Sequence, residues 1–246
     1  MNWSWPEFRG ELFSMGFFQA ALTTVWITAA VEVLALALAV VLALGALSRH
    51  RAWVVLTGVY TWIWRGTPIL IQLLIIYFGL PQLGIRPSII EAGVVGLALN
   101  EAAFLGVLLR ANLLSIAAGQ ADAARALGMT RSQRMRLVLL PQAARTFLPT
   151  LGNQVNSMIK TTSLVSVLSV QELLAYTQNV VSQTYQPFEA FAVATVYYLA
   201  ISTIWSVIQY CSEWWLNRSG RQPRRPRRPR NAVARLSGGR SIQEVA

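Results

Sequence analysis

The chain carries uncharged stretches too long to be folded into the core of a small water-soluble domain. Between Leu12 and Ser48 the only charged residue is Glu32, and between Ala52 and Ile85 the only one is Arg65. Ala190 to Ser212 has none. An apolar helix of about 20 residues crosses the hydrocarbon core of a bilayer. These stretches therefore read as transmembrane helices. Two weaker candidates join them: one interrupted by Glu91 and Glu101, and one carrying Lys160. The expectation is an all-α integral membrane protein with five transmembrane helices, at about 17–47, 53–80, 88–113, 147–169 and 190–214. The start does not read as a cleavable signal. Glu7 and Glu11 stand where a basic region is needed, and the apolar run that follows exceeds a signal's length.

Charge placement sets the expected orientation. Cytoplasmic loops of membrane proteins collect Lys and Arg. The amino-terminal stub has one Arg against two Glu, and the loop after the first span reads "SRHR". The loop after the second has only Arg86, whereas 110–145 holds six arginines and one aspartate. The connection 169–188 has no Lys or Arg, and the carboxy-terminal tail has nine Arg. The bias alternates with each crossing, which puts the amino terminus outside and the carboxy terminus inside.

The net charge of +11 suggests nucleic-acid binding until it is located. Nine arginines fall between Arg218 and Arg240, around "RQPRRPRRPR". A segment this polar and proline-rich cannot bury a core. We expect 1–217 to form the membrane domain and 218–246 a disordered cytoplasmic tail. Each tail arginine near an anionic leaflet gains about 1 kcal/mol, so membrane lipids are the expected partner and nucleic acid is not. Charged residues are only 13% of the chain, against roughly 25% in soluble domains. Cys211 and His50 are the only residues of their kinds. No disulfide framework, metal site or Ser-His-Asp chemistry is expected from them, and no catalytic residue is assigned.

The segment "ADAARALGMTRSQRMRLVLLP" (121–141) is open to two readings. Small helix formers precede Gly128, and Arg131, Arg134 and Arg136 follow on a second helical piece. A soluble protein would use such a pattern as a helix-turn-helix on DNA. Here it lies in the cytoplasmic loop 114–146 between two spans, which favours a protein surface, solvent or headgroups. Ala123, Ala124 and Ala126 permit close approach of a partner. Gly128 allows the positive φ of a sharp turn. Thr130 or Ser132 can cap the next helix, and Pro141 ends that helix or kinks the entry to the fourth span.

Polar residues inside the spans are costly and mark a pathway or a partner. Arg65 stands beside Gly66, Thr67 and Pro68, where the helix is loosened and backbone groups need partners. It serves either a substrate pathway or a pairing with a glutamate of the bundle. Asn153, Asn156, Ser157 and Lys160 fall on one helix face, followed by Thr161, Thr162 and Ser163. That stripe should face the bundle or a dimer partner. Asn100 and Glu101 are further pathway candidates.

Several segments together resemble the permeases of ABC importers. Their signature is E-A-A, three residues, Gly, nine residues, then I-x-L-P. Asp122-Ala123-Ala124, Gly128 and Val138-Leu139-Leu140-Pro141 stand in that register. "WRGTP" (64–68), "LGNQ" (151–154), "IKTTSLVSVLSVQELL" (159–174) and "PFEAF" (187–191) are similar to the polar amino-acid branch of the family. The similarity spans about residues 12–217. The resemblance implies a MetI-like permease core. It also implies that Asp122, Ala123, Ala124, Arg125, Gly128, Arg131 and Pro141 form a coupling element for a separate ATPase. The implied partners are an identical or homologous permease, two cytoplasmic ATPase subunits that hold ATP and Mg²⁺, and a periplasmic or extracellular solute-binding protein. This chain itself carries no Walker sequence and is expected to bind no cofactor. The substrate pathway is expected from Arg65, Thr67, Asn100, Glu101, Asn153, Asn156, Lys160, Thr161 and Ser163. An amino acid's carboxylate would meet Arg65 or Lys160, and its ammonium Glu101. One departure stands out. Family members commonly read "AEIFRGG" where this chain reads "GVLLRAN", with Val107 at the acidic position. The competing reading is a stand-alone channel or secondary carrier for small solutes.

Overall fold

The computed structural model describes residues 3–116 and 118–219; the arginine-rich stretch from 220 on lies outside them. All regular structure among the described residues is helical, with no strand. A short amino-terminal helix, α1 (Trp5–Leu12), precedes the long helix α2 (Met15–Ala46). Ser14 caps α2 by accepting from the Phe17 amide at 3.3 Å. Helix α5 (Ile89–Ser115) begins with a full capping box. The Ser88 hydroxyl accepts from the Glu91 amide, and the Glu91 carboxylate accepts from the Ser88 amide at 2.7 Å.

Helices α2 and α5 form the centre of the bundle through small residues at a spacing of four. Ala35, Ala39 and Ala43 on α2 are buried, as are Ala98, Ala102 and Gly106 on α5. A Cβ placed on Gly106 would stand 3.1 Å from the Cβ of Leu42 and 3.5 Å from the carbonyl oxygen of Ala39. In a bilayer, packing of small residues replaces the hydrophobic drive that water supplies elsewhere. A second, smaller cluster joins Phe17, Ala20 and Ala21 of α2 to Leu173 and Val180 of α9 (Leu173–Thr184). Ala190, Val193 and Ala194 of α10 (Pro187–Ser219) complete it.

Helices α2 and α5 and residues 187–215 of α10 are long and apolar enough to cross a membrane. The expected second span is not one straight helix. It is α3 (Arg51–Gly66) followed by α4 (Ile69–Leu74), which continues through a π turn (Ile75–Gly79) and a 3-10 turn (Leu80–Leu83). The two parts are bent by 105° and make a fourth crossing if counted as one. The expected fourth span begins earlier, as α8 (Leu140–Thr161), and passes into a 3-10 helix, Thr162–Leu168. Its polar stripe keeps it out of the long apolar set.

Pro141 does not end the helix it lies in. The chain runs from α7 (Arg131–Gln133) through a π turn (Arg134–Leu139) into α8 with helical geometry throughout. Proline has no amide hydrogen, and its ring crowds the carbonyl four residues back, here that of Leu137. The widened π turn just before Pro141 makes that room.

Candidate functional site

The loop 114–146 is built as two capped helices around one glycine. Helix α6 (Ala118–Ala126) ends on Gly128, whose φ is +76°. The Met129 amide donates to the Ala124 carbonyl at 3.1 Å and the Gly128 amide to that of Arg125 at 3.0 Å. These bonds close the left-handed helix end that glycine accommodates best. Thr130 then starts α7. Its hydroxyl accepts from the Gln133 amide, and the Gln133 side chain accepts from the Thr130 amide at 2.9 Å.

Two side chains tie this element to the bundle. Arg131 Nη2 donates to the Leu47 carbonyl at 3.2 Å, which satisfies the carboxy-terminal cap of α2. Gln142 Nε2 donates to Gln120 Oε1 at 2.6 Å. Ala124 is buried beneath α6. Asp122, Ala123, Arg125, Gly128, Arg131 and Pro141 are exposed, and Leu127 is 78% exposed beside them. The loop is thus fixed at its back and open at its front, with an uncovered leucine among small and charged residues.

The second feature is the break in the second span. Thr67 is extended, as the residue before a proline should be. The carbonyls freed there are satisfied by two amide side chains. Gln72 Nε2 lies 2.9 Å from the Trp64 carbonyl, 3.1 Å from that of Thr67 and 2.7 Å from the Thr67 hydroxyl. Asn100 Nδ2 reaches the same Trp64 carbonyl at 2.9 Å and Gln72 Oε1 at 2.8 Å. Between them Arg65 is turned outward and exposed, its guanidinium 5.1 Å from the centre of the Phe104 ring. Arg65 makes no ion pair with a glutamate among the described residues.

The polar stripe of α8 points away from its own bundle. Asn153, Ser157 and Lys160 are exposed, and Asn156, Thr161 and Ser163 are half-buried. Gly152, Val155, Met158 and Ile159 form the buried face. Asn153, Ser157 and Lys160 therefore do not face the bundle interior, whereas Asn156 Oδ1 is shielded from the surface. The Thr161 and Ser163 hydroxyls bond back to the carbonyls of Ser157 and Lys160. Asn100 and Glu101 are buried, and Glu101 Oε1 accepts from Gln154 Nε2 at 2.9 Å. The exposed cations and Glu101 are not brought to one surface.

Residues 35–216 match a family described as the inner membrane component of binding-protein-dependent transport systems. The chain belongs to this family. It is 37% identical to the nopaline transport system permease NocM of Agrobacterium fabrum, over 71% of this chain and 77% of that one. It is 40% identical to the octopine transport system permease OccM of Rhizobium meliloti, over 67% and 72%. The arginine transport system permease ArgU of Corynebacterium glutamicum is 33% identical, over 86% and 71%. In three dimensions the chain resembles an amino acid ABC transporter crystallised with histidines, with a TM-score of 0.81 and 30% identity. That match covers 87% of this chain and 99% of the other. A methionine ABC transporter, MetNI, shares the fold at 19% identity and a TM-score of 0.66.

An inner-membrane permease exposes apolar helix faces to lipid and to other subunits. That explains why α3 buries only Thr57 and why Leu199, Ile204 and Val207 of α10 are open. In such a permease the break at Gly66–Pro68 has to be satisfied without water. The residue that does most of this, Gln72, is absent from the candidates drawn from sequence. Its signal was present: a glutamine in the apolar run just after a Gly-Thr-Pro break. Gln154, the partner of Glu101, lay within the "LGNQ" segment but was not singled out.

Proposed function

We propose that the chain is the permease subunit of an ATP-driven importer of polar amino acids. It crosses the membrane five times, with α8 as the fourth span, the amino terminus outside and the carboxy terminus inside. It pairs with an identical or homologous permease. Two cytoplasmic ATPase subunits carry ATP and Mg²⁺, and a solute-binding protein docks outside. The observation that carries this reading is the cytoplasmic element. Asp122, Ala123, Arg125 and Gly128 stand exposed in the register of the family signature, on a loop tied to the bundle by the Arg131–Leu47 contact. A rigid, small-surfaced projection is what a moving ATPase would need to push on.

The substrate class follows from the relatives, whose names specify nopaline, octopine and arginine. The pathway residues are those that face away from this chain's own bundle: Arg65, Asn153 and Lys160, with Asn156, Thr161 and Ser163 at its edge. Arg65 and Lys160 attract the substrate carboxylate. Thr67, Asn100 and Glu101 support the walls from behind.

A mild-detergent purification of the chain from its own membranes tests the assembly. The expected result is co-purification of a nucleotide-binding subunit, lost when Ala123 is replaced by Trp. Recovery of the chain alone under every gentle condition would favour a stand-alone channel or carrier.

A further inference from the structure

An open pocket of about 450 Å³ lies between the carboxy-terminal end of α2 and the segment that starts at α7. Leu44, Ser48, Arg131, Ser132, Met135 and Arg136 line it. Its polar groups are all able to donate, and no acidic residue is among them. Arg131 uses one guanidinium nitrogen on the Leu47 carbonyl and keeps its other N–H groups. Arg136 is exposed and makes no hydrogen bond or ion pair among the described residues. Ser48 Oγ accepts from the His50 amide at 3.2 Å, which leaves its proton to give. The Ser132 hydroxyl is exposed and without a partner among the described residues. Arg49 and Arg51, next to Ser48 in the chain, are exposed as well.

We propose that this pocket binds the headgroup of an anionic phospholipid, with one acyl chain running along α2. Two arginines and two hydroxyls converging without a carboxylate suit a phosphate, which accepts several charge-assisted bonds at once. A zwitterionic headgroup also brings an ammonium, and the lining offers that group no counter-charge. The pocket therefore selects a headgroup of net negative charge.

The apolar surface beside the pocket separates a lipid from a free phosphate ester. Leu44 lines the pocket and is exposed on α2. Val41, Ala37 and Val33 follow it at intervals of three and four residues, on the same helix face. All three are exposed, Val41 by 53% and Val33 by 69%. From Leu44 to Val33 the stripe runs roughly 16 Å at 1.5 Å per residue. Half of a hydrocarbon core about 30 Å thick is about 15 Å. The stripe thus has the length of one leaflet and begins at the donors, which is the layout of one lipid molecule. Soluble phosphate would fill the donor end and leave the stripe without a role.

The test is photolabelling of the chain with its co-purifying subunits in phosphatidylcholine vesicles. The probes are phosphatidylglycerol and phosphatidylcholine carrying the same diazirine on one acyl chain. We expect phosphatidylglycerol to label the peptide 33–44 about tenfold more than phosphatidylcholine, as a charge-assisted bond requires. Arg136→Gln, at an exposed side chain apart from the Arg131–Leu47 contact, should reduce that labelling to the level of phosphatidylcholine. Ser132→Glu, which sets an anion in the pocket, should do the same. Excess glycerol phosphate in solution should leave the labelling unchanged, since the acyl chains confine the lipid headgroup to the pocket's surroundings. Phosphatidylglycerol should also raise the thermal midpoint of the wild type and not of Arg136→Gln. Equal labelling by the two probes would overturn the proposal and leave only lipid exposure. So would a preference that survives both substitutions, or one removed by glycerol phosphate, which would mark a site for free phosphate esters. An unlabelled 33–44 peptide in the complex would also overturn it and assign the pocket to another subunit.

Discussion

The side-chain amide of Asn100 donates to Gln72 Oε1 at 2.8 Å, and so joins α5 to the segment just beyond the break in the second span. Both side chains converge on the Trp64 carbonyl. The 105° bend is thus held by amide groups that replace the helix bonds lost at Gly66–Pro68. Arg65 projects outward from a fixed corner.

Removing either amide should therefore weaken the fold. Gln72→Leu leaves the Thr67 carbonyl without this donor and the Asn100 amide without its Oε1 acceptor, and Asn100→Leu leaves Gln72 Oε1 without a donor, each at about 1–3 kcal/mol. The two act on shared partners, so the double substitution should depart from additivity by about 0.5–3 kcal/mol. Unfolding of the four proteins in detergent, followed as one thermodynamic cycle, measures this.

The tight approach of α4 to α5 predicts an opposite pair of glycine effects. A Cβ on Gly96 would come within 2.6 Å of Cδ2 of Leu73, which is fully buried. Gly96→Ala should cost about 1–3 kcal/mol by overpacking. A Cβ on Gly58 meets nothing within 4 Å. Gly58→Ala should be neutral or stabilise α3 by up to about 1 kcal/mol. The thermal midpoint should fall for Gly96→Ala and should not fall for Gly58→Ala.

At the other end of the bundle Glu172 caps α9. Its carboxylate accepts from the Leu174 amide at 3.0 Å, the Ala175 amide at 2.8 Å and the Tyr198 hydroxyl at 3.2 Å. Glu172→Ala should cost about 1–2 kcal/mol from the lost cap alone. Tyr198→Phe removes one of the three bonds and should cost about 1 kcal/mol. Hydrogen exchange of the α9 amides should accelerate in the first variant and much less in the second.

The sequence made some of this plain and concealed the rest for identifiable reasons. The run 12–48, with Glu32 as its one charge, and the charge-free run 190–212 fall on α2 and α10, because a helix apolar on nearly all sides needs no periodic signal. Gly128 and Thr130 were readable since a left-handed helix end and a cap are local features. Of the two roles read for Pro141, ending the helix does not hold: a π turn absorbs it, and such a turn has no distinctive residue pattern. The spacing of Asn153, Asn156, Ser157 and Lys160 identified a face but not its direction, which depends on where α5 and α10 pack. The clamp of Asn100 on Gln72 joins residues 28 positions apart and is a property of the assembled bundle.

The exposed cations should separate transport from stability. Lys160 is exposed, and so is Arg65, whose guanidinium stands over the Phe104 ring. Lys160→Met and Arg65→Met should change stability by about 0.5 kcal/mol or less, as is usual for exposed sites. If each contributes a charge-assisted bond to a substrate carboxylate, uptake should fall about ten- to a hundredfold. Unfolding midpoints and uptake rates measured on the same preparations check both halves.

The most direct test of the account is ATP-dependent uptake of labelled arginine by the chain and its co-purifying subunits in sealed vesicles. The comparison is between the wild type and Gly128→Trp. A Cβ on Gly128 meets nothing within 4 Å and the residue is exposed, so the expected cost to the fold is the strain of its positive φ, about 1–2 kcal/mol. The account predicts uptake that requires ATP in the wild type and is abolished in a Gly128→Trp protein that remains folded. Uptake that proceeds without ATP, or that persists in the folded variant, would contradict it.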